Sequence, residues 1–275
     1  MKRKKKVSLR DLLRAAPGKR VVLTDARADA TPDVHEPDVG IALLELARER
    51  LRELQYKLYA DGRFGLLVVL QAMDAGGKDG TIRHVFSAFN PQGCHVTSFK
   101  VPSERERQHD FLWRIHQAAP GRGEVGVFNR SHYEDVLVVR VDNLVPRSVW
   151  STRYEQINDF ERMLDANDIR VVKFFLHISK DAQRERLKAR LEEPHKQWKF
   201  DPADLHKRKQ WNAYRSAYED AIAKCSTAHA PWYVIPANRK WYRNYAVARI
   251  LVETLEELPL RWPQPKGKPK KTVIR

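Results

Sequence analysis

The feature that most constrains this chain is a repeated alternation of short apolar runs with helical stretches. Apolar runs at Leu66–Leu70, Val125–Phe128, Val171–Ile178 and Trp232–Ile235 have the composition of strands buried on both faces, and a weaker one spans His95–Phe99. Helical patterns fall between them, near residues 81–89, 104–118, 147–166, 180–192, 203–224 and 239–257. Strand and helix in alternation predict an α/β fold, a parallel sheet with helices on both faces. A further helix precedes the first strand. Leu44, Ala47, Leu51, Leu54 and Leu58 recur at helical spacing over residues 39–60, and Asp61-Gly62 ends the pattern. Residues 16–38 are rich in Pro, Asp and Ala without periodicity. The expected organisation is a basic, irregular N-terminal arm (1–38), one domain (39–261) and a basic C-terminal tail (262–275).

The segment GLLVVLQAMDAGGKDGTIRHVF (65–86) carries the most chemistry. A buried strand runs into Asp74-Ala75-Gly76-Gly77-Lys78-Asp79-Gly80-Thr81, and a helix follows. Glycines let such a loop turn its N–H groups toward an anion, the helix N-terminus adds partial positive charge, and Lys78 can reach a phosphate. This is the physics of a P-loop. The match to G-x-x-x-x-G-K-[ST] is imperfect, because Ala72 stands at the first glycine and Asp79 where Ser or Thr would hold a metal. Without that hydroxyl, magnesium needs another ligand, and Asp74 at the strand's end is the natural candidate. Asp79 in the first helical turn offsets the helix dipole.

A second strand ends in Asn129-Arg130-Ser131-His132-Tyr133-Glu134-Asp135. The neighbouring strand of a P-loop enzyme usually ends in a carboxylate for magnesium. Here Asn129 is neutral, able only to orient a water or a phosphate, and the nearest acids are Glu134 and Asp135. Arg130 can neutralise transferred charge. His132 and Tyr133 are read as packing.

Two cysteines, Cys94 and Cys225, in 275 residues supply neither a disulfide framework nor a cysteine metal cage, and a reducing cytoplasm is expected. No apolar run approaches the roughly 20 residues of a membrane span. The net charge of +16 is concentrated at the ends: residues 1–10 hold six basic and no acidic side chains, residues 262–275 hold five and none, and the remainder carries only +5. The charge therefore does not by itself indicate nucleic acid.

These segments together resemble the polyphosphate kinase 2 family. The matching stretches are MDAGGKDGT (73–81), FNPQG (89–93), FLWRIHQ (111–117), FNRSHYEDVLVVRV (128–141), FFLHISK (174–180), RLEEPHKQWKF (190–200) and PWYVIPANRKWYRN (231–244), and the likeness covers roughly residues 40–260. The resemblance implies a thymidylate-kinase-like P-loop fold, with Asp74, Lys78, Arg130 and Asp135 as catalytic residues and magnesium, or manganese in its place, as cofactor. The Asn-Arg-Ser-His-Tyr-Glu-Asp variant is similar to the subgroup called class III, whose members phosphorylate nucleoside monophosphates and diphosphates from polyphosphate. Asn129 departs from the Asp of other classes, and Asp135 is the preferred carboxylate to complete the metal site with Asp74, ahead of Glu134.

Residues 180–210 are densely cationic. The family likeness implies a lid, at about 183–210, whose cations Arg186, Arg190, Lys196, Lys199, Lys207 and Arg208 grip the phosphate chain. Such a polyanion binds a cationic groove by counterion release, as nucleic acid does. Inorganic polyphosphate and adenine nucleotides, with guanine nucleotides as further acceptors, are the expected partners, and a homo-oligomer the expected assembly. The Pro236-Ala237-Asn238-Arg239 loop lies where related kinases contact the base. Two other readings compete: an ATP-dependent kinase of the same fold, and, ranked last, a nucleic-acid-binding module recruited through the basic tails.

Overall fold

Five strands, β1 (Gly65–Ala72), β2 (Cys94–Ser98), β3 (Val125–Asn129), β4 (Ile169–His177) and β5 (Trp232–Pro236), form one parallel sheet in the order β2-β3-β1-β4-β5 in the computed structural model, which describes residues 8–265. All eight residues of β1 are buried. Each of the aliphatic side chains Leu66–Leu70 is worth about 1.5–3 kcal/mol in transfer from water, which fixes β1 at the centre. The edge strand β2 is half exposed, which explains its weaker apolar pattern. β1 lies between β3 and β4, so the chain reverses its direction of travel across the sheet at β1. Such a switch point opens a crevice at the carboxyl ends of the strands. The register pairs Leu70 with both Asn129 and Phe174, and His177 with Pro236, so the loops after β1, β3, β4 and β5 gather at one edge.

The arm departs from the irregular segment expected. It holds two short helices, α1 (Leu9–Leu13), capped by Ser8, and α2 (Asp25–Asp29), capped by Thr24. It is also packed: Leu9, Leu13, Val21, Leu23, Ala28 and Val34 are buried, the Ala15 amide donates to the Trp232 carbonyl (2.8 Å), and Arg14 pairs with Tyr233 as an isolated antiparallel bridge. The arm thereby covers the β5 edge, which would otherwise present unpaired backbone groups. Its anchors are single residues, invisible to a search for periodicity. The extreme ends of the basic tails lie outside the described residues.

Helix α3 (Pro37–Asp61) starts at a proline and stops at Gly62, whose φ of 67° is left-handed. Helix α4 (Lys78–Val85) begins three residues before the sequence pattern suggests, because Gly77 at φ 103° caps it directly. The stretch expected as one helix at 104–118 is broken into α5 (Glu104–Arg107) and α6 (Trp113–Ala118), where the Asp110 carboxylate accepts from the Leu112 amide (2.9 Å). Helix α7 (Glu134–Val141) was not anticipated, since its β-branched residues have strand propensity; two acids in its first turn favour the helix. The 147–166 stretch is α8 (Arg147–Trp150) and α9 (Arg153–Ala166). After α10 (Lys180–Glu192) comes a 3-10 segment (Pro194–Lys199) where irregular chain was expected. The 203–224 stretch divides at Gln210 into α11 (Pro202–Lys209) and α12 (Trp211–Cys225), and α13 (Lys240–Glu257) closes the fold. One helical group packs α13 on α1, α3 and α4, and another packs α12 on α7 and α9, giving the two covered faces. Among the described residues no helix is long and apolar enough to cross a membrane.

One charged cluster is fully buried. Lys173, in the middle of β4, is bonded to Glu161 of α9 and donates to the Tyr133 hydroxyl (2.9 Å) and the Cys225 carbonyl (2.7 Å). Tyr133 donates to Glu161 (2.9 Å), and His132 Nε2 lies 3.2 Å from the same carboxylate. The packing roles expected of His132 and Tyr133 are thus polar, joining the β3 loop to α9, β4 and α12. Removing one partner of a buried pair strands the other, at a cost of about 3–5 kcal/mol. We expect Glu161→Ala to lower the unfolding free energy by about that amount in urea titration; a loss below about 1 kcal/mol would contradict this account of the cluster.

Candidate active site

The loop after β1 is bent by two left-handed residues, Ala75 at φ 59° and Gly77 at φ 103°. A side chain on Gly76 would approach the Met73 carbonyl to 2.7 Å, so glycine is required there. Ala75, which has a Cβ, holds its left-handed conformation at a cost of order 1 kcal/mol, a kind of strain that concentrates at functional loops. The Gly76 amide donates to Met73 (2.9 Å) and the Thr81 hydroxyl to the Gly77 carbonyl (3.1 Å), closing the turn into α4. Lys78 folds back over the end of β1, its Nζ 3.4 Å from the Ala72 carbonyl. Desolvation, aided by the nearby Arg130 guanidinium, lowers its pKa to about 8.

The loop after β3 meets this one. Arg130 also has positive φ (64°), and its amide donates to the Leu70 carbonyl (3.2 Å). Its guanidinium then bridges two carboxylates, Asp74 (3.0 Å) and Glu134 (3.1 Å), which keep it protonated despite burial. Asn129 donates to the Asp79 carboxylate (2.8 Å), so these two departures from the usual loop residues satisfy one another. Beneath them, Gln71 donates to the Ser131 hydroxyl (3.2 Å), and Tyr218 donates to the Ala72 carbonyl (3.0 Å). Burial raises the Tyr218 pKa well above its usual value, so this hydroxyl remains a donor.

The crevice so formed is lined by Asp74, Arg130, Glu134, Lys207 and Gln183, with Met73, Leu137, Val138, Trp211, Tyr214 and Tyr218 supplying its apolar wall. Glu134 lies in it and Asp135 does not. Asp135 is buried one residue further round α7, paired with Arg153 (2.9 Å), and its desolvation raises its pKa to about 6. The preference for Asp135 over Glu134 is therefore corrected: consecutive helical positions point about 100° apart, and only the first faces Asp74.

The six cations expected to form a lid also divide. Lys207 comes within 4.0 Å of Asp74. Arg186 donates to the Ala75 carbonyl (3.0 Å) and to the carbonyls of Ala237 and Asn238, tying the β1 and β5 loops together. Arg190 is instead bound within its own segment, to Asp204 (2.6 Å) and the Lys199 carbonyl (3.1 Å), although it shares a helix face with Arg186. Arg208 donates to Lys180 and Gln183 (2.6 and 3.0 Å), Lys196 pairs with Glu193, and Lys199 lies exposed against Trp198. The crevice residues missed from sequence are Gln183, which donates to the Asp74 carbonyl (2.9 Å), and the aromatic wall of α12. The spacing of Trp211, Tyr214 and Tyr218, on one helical face, was the available signal.

A left-handed phosphate loop at the switch point of a parallel sheet, facing an arginine bridged to two carboxylates, defines a phosphotransferase of nucleotide-kinase type. Residues 36–261 match the family described as Polyphosphate kinase 2. The chain belongs to this family, and it is an enzyme. It is 58% identical to the AMP/ADP-polyphosphate phosphotransferase of Meiothermus ruber over 86% of this chain and 88% of that protein. It is 49% identical to the ADP-polyphosphate phosphotransferase of Rhodopseudomonas palustris, covering 81% of each. The crystal structure of polyphosphate kinase 2 from Arthrobacter aurescens superposes with a TM-score of 0.92 at 44% identity, over 95% of this chain and 94% of that one.

The lowered pKa of Lys78 has a directional consequence. Its protonated form attracts phosphate, so affinity for inorganic tripolyphosphate should be flat below about pH 8 and weaken above it. Lys78→Arg, which stays charged, should shift that decline upward. A wild-type affinity unchanged to pH 9.5, measured by calorimetric titration, would contradict the placement of Lys78.

Proposed function

We propose that this protein transfers a phosphate group from inorganic polyphosphate to AMP and ADP, forming ADP and ATP, and that the reaction is reversible. The observation that carries this reading is the Arg130 bridge between Asp74 and Glu134 at the mouth of the phosphate loop. It gathers cation and carboxylate where phosphoryl transfer needs charge neutralised on the equatorial oxygens. The family membership and the names of the relatives supply the donor and the acceptors.

In this reading an oxygen of the acceptor's terminal phosphate attacks the terminal phosphorus of the chain. The bond from that phosphorus to the bridging oxygen breaks, and the shortened chain leaves with the electron pair. The attacking oxygen is already ionised, so no general base is required. Lys78 and the N–H groups of Gly77–Gly80 hold phosphate, Arg130 neutralises the transferred group, and Lys207 and Arg186 bring lid charge to it. Asn129 and Asp79 hold the two loops in register.

A divalent cation fits the residues present. Among the described residues no group of three or more His, Cys, Asp or Glu side chains forms a self-sufficient cage. Magnesium usually binds through one or two carboxylates together with substrate phosphates, and the hard oxygens of Asp74 and Glu134 meet that need. Bound there, it would neutralise phosphate charge and orient the oxygens. We also propose manganese as a substitute, guanine nucleotides as further acceptors and a homo-oligomeric assembly, on the family likeness, and a cytoplasmic location, on the low cysteine count.

The test is ATP formation by purified protein given magnesium and long-chain polyphosphate, with ADP or AMP as acceptor. Product from both is expected; none from either would overturn the reading in favour of an ATP-dependent kinase. Asp74→Asn and Lys78→Ala should each lower kcat by about a hundredfold or more, with the melting temperature within roughly 3 °C of wild type. Near-normal turnover in either variant would remove that residue from the mechanism.

A further inference from the structure

The loop after β5 is held by the protein's own groups. The Ala237 amide donates to the His177 carbonyl (2.8 Å), and the Asn238 amide donates to the Ala28 carbonyl of the N-terminal arm (3.1 Å). The carbonyls of Ala237 and Asn238 both accept from the Arg186 guanidinium. Arg239 grips the Asp29 carboxylate of the arm through Nε and Nη2 (3.3 and 3.0 Å). Ala28 and Ala237 are fully buried. The backbone at Asn238 is thereby fixed from both sides, and its side chain has a defined starting point.

That side chain reaches the start of α10. Its Oδ1 accepts from the Ser179 amide (2.9 Å), and its Nδ2 donates to the Ser179 hydroxyl (3.3 Å). The same hydroxyl caps α10 by accepting from the Ala182 amide (3.1 Å). Ser179 is only 7% exposed, so water has little access to take the place of the carboxamide. The N-cap residue fixes where a helix begins, and Gln183 and Arg186, four and seven positions on, lie on its face of α10. Both reach the main chain of the phosphate loop. Gln183 donates to the Asp74 carbonyl (2.9 Å) and Arg186 to the Ala75 carbonyl (3.0 Å). Those carbonyls belong to the two peptide planes that flank the Ala75 Cα, and the rotation of one plane against the other is the left-handed turn at Ala75, φ 59°. A residue with a Cβ keeps such a conformation only where its surroundings over-determine it.

We propose that Asn238 is a positioning residue for phosphoryl transfer. By seating Ser179 it sets the start of α10, and α10 then holds the two peptide planes around Ala75 through Gln183 and Arg186. The turn so fixed aims the Asp74 carboxylate on one side and the amides of Gly77–Gly80 on the other. Asn238 is not among the residues lining the crevice, so it acts through α10 rather than on substrate. The inference rests on the phosphotransferase reading above.

The experiment measures steady-state ATP formation from long-chain polyphosphate and ADP, together with the melting temperature. The proteins are wild type, Asn238→Ala, Asn238→Asp, Arg186→Lys and the Asn238→Ala/Arg186→Lys double variant. Asn238→Ala should lower kcat roughly tenfold, since a small misplacement of reacting groups slows transfer steeply, with both KM values within about threefold of wild type. Asn238→Asp keeps an acceptor for the Ser179 amide, and the Ser179 hydroxyl can turn to donate to the second oxygen. Its kcat should return to within about threefold of wild type. Arg186→Lys keeps the charge but loses the fork that joins Ala75 to the β5 loop. In that background Asn238→Ala should lower kcat by less than about threefold further, because effects along one path are not additive. A kcat for Asn238→Ala within about twofold of wild type overturns the inference and leaves the proposed function intact. So do equal falls in the two backgrounds, an Asp variant as slow as the Ala variant, or a fall explained by unfolding of the Ala variant at the assay temperature. Wild-type protein that forms no ATP from polyphosphate overturns the proposed function and this inference together.

Discussion

Everything at the crevice depends on the Arg130 guanidinium being held between Asp74 and Glu134. The bridge joins two loops that leave adjacent parallel strands, and each loop reaches it through a left-handed residue, Ala75 in one and Arg130 in the other. Those conformations are strained, and they persist because the surroundings over-determine them. Tyr218 and Lys78 fix the end of β1, Gln71 ties it to Ser131, and the buried Lys173–Glu161 pair holds the chain just beyond Arg130. The crevice is thus built from the sheet outward, with Lys207 of α11 and Arg186 of α10 reaching it last.

The electrostatics of the crevice are divided rather than uniform. On one side of the phosphate loop every cation has a carboxylate close by, and an apolar wall adjoins them. On the other side Arg186 is held by backbone carbonyls of the β1 and β5 loops.

Much of this was legible in the sequence, for reasons that particular residues make clear. Fully buried strands such as Leu66–Leu70 announce themselves because no polar residue interrupts them. The phosphate loop is visible because its backbone geometry demands glycine at Gly76 and Gly77. What could not be read was orientation. Glu134 and Asp135 are adjacent, and only the onset of α7 decides which of them faces Asp74. Arg186 and Arg190 share a face, yet one reaches the phosphate loop and the other is held by Asp204 within the lid. The N-terminal arm hid its packing because it is anchored by single residues, Leu13 and Leu23 among them, rather than by a repeated face.

The central claim is that donor and acceptor occupy one crevice together and that phosphate passes directly between them. No nucleophile is needed, and His132 is buried against Glu161 rather than presented to the crevice. The most direct measurement is the initial-rate pattern for ATP formation with polyphosphate and ADP varied together, paired with a search for radiolabelled phosphate retained on the protein when polyphosphate is supplied alone. Direct transfer predicts intersecting reciprocal plots and no retained label. Parallel plots with stoichiometric phosphoprotein would contradict it.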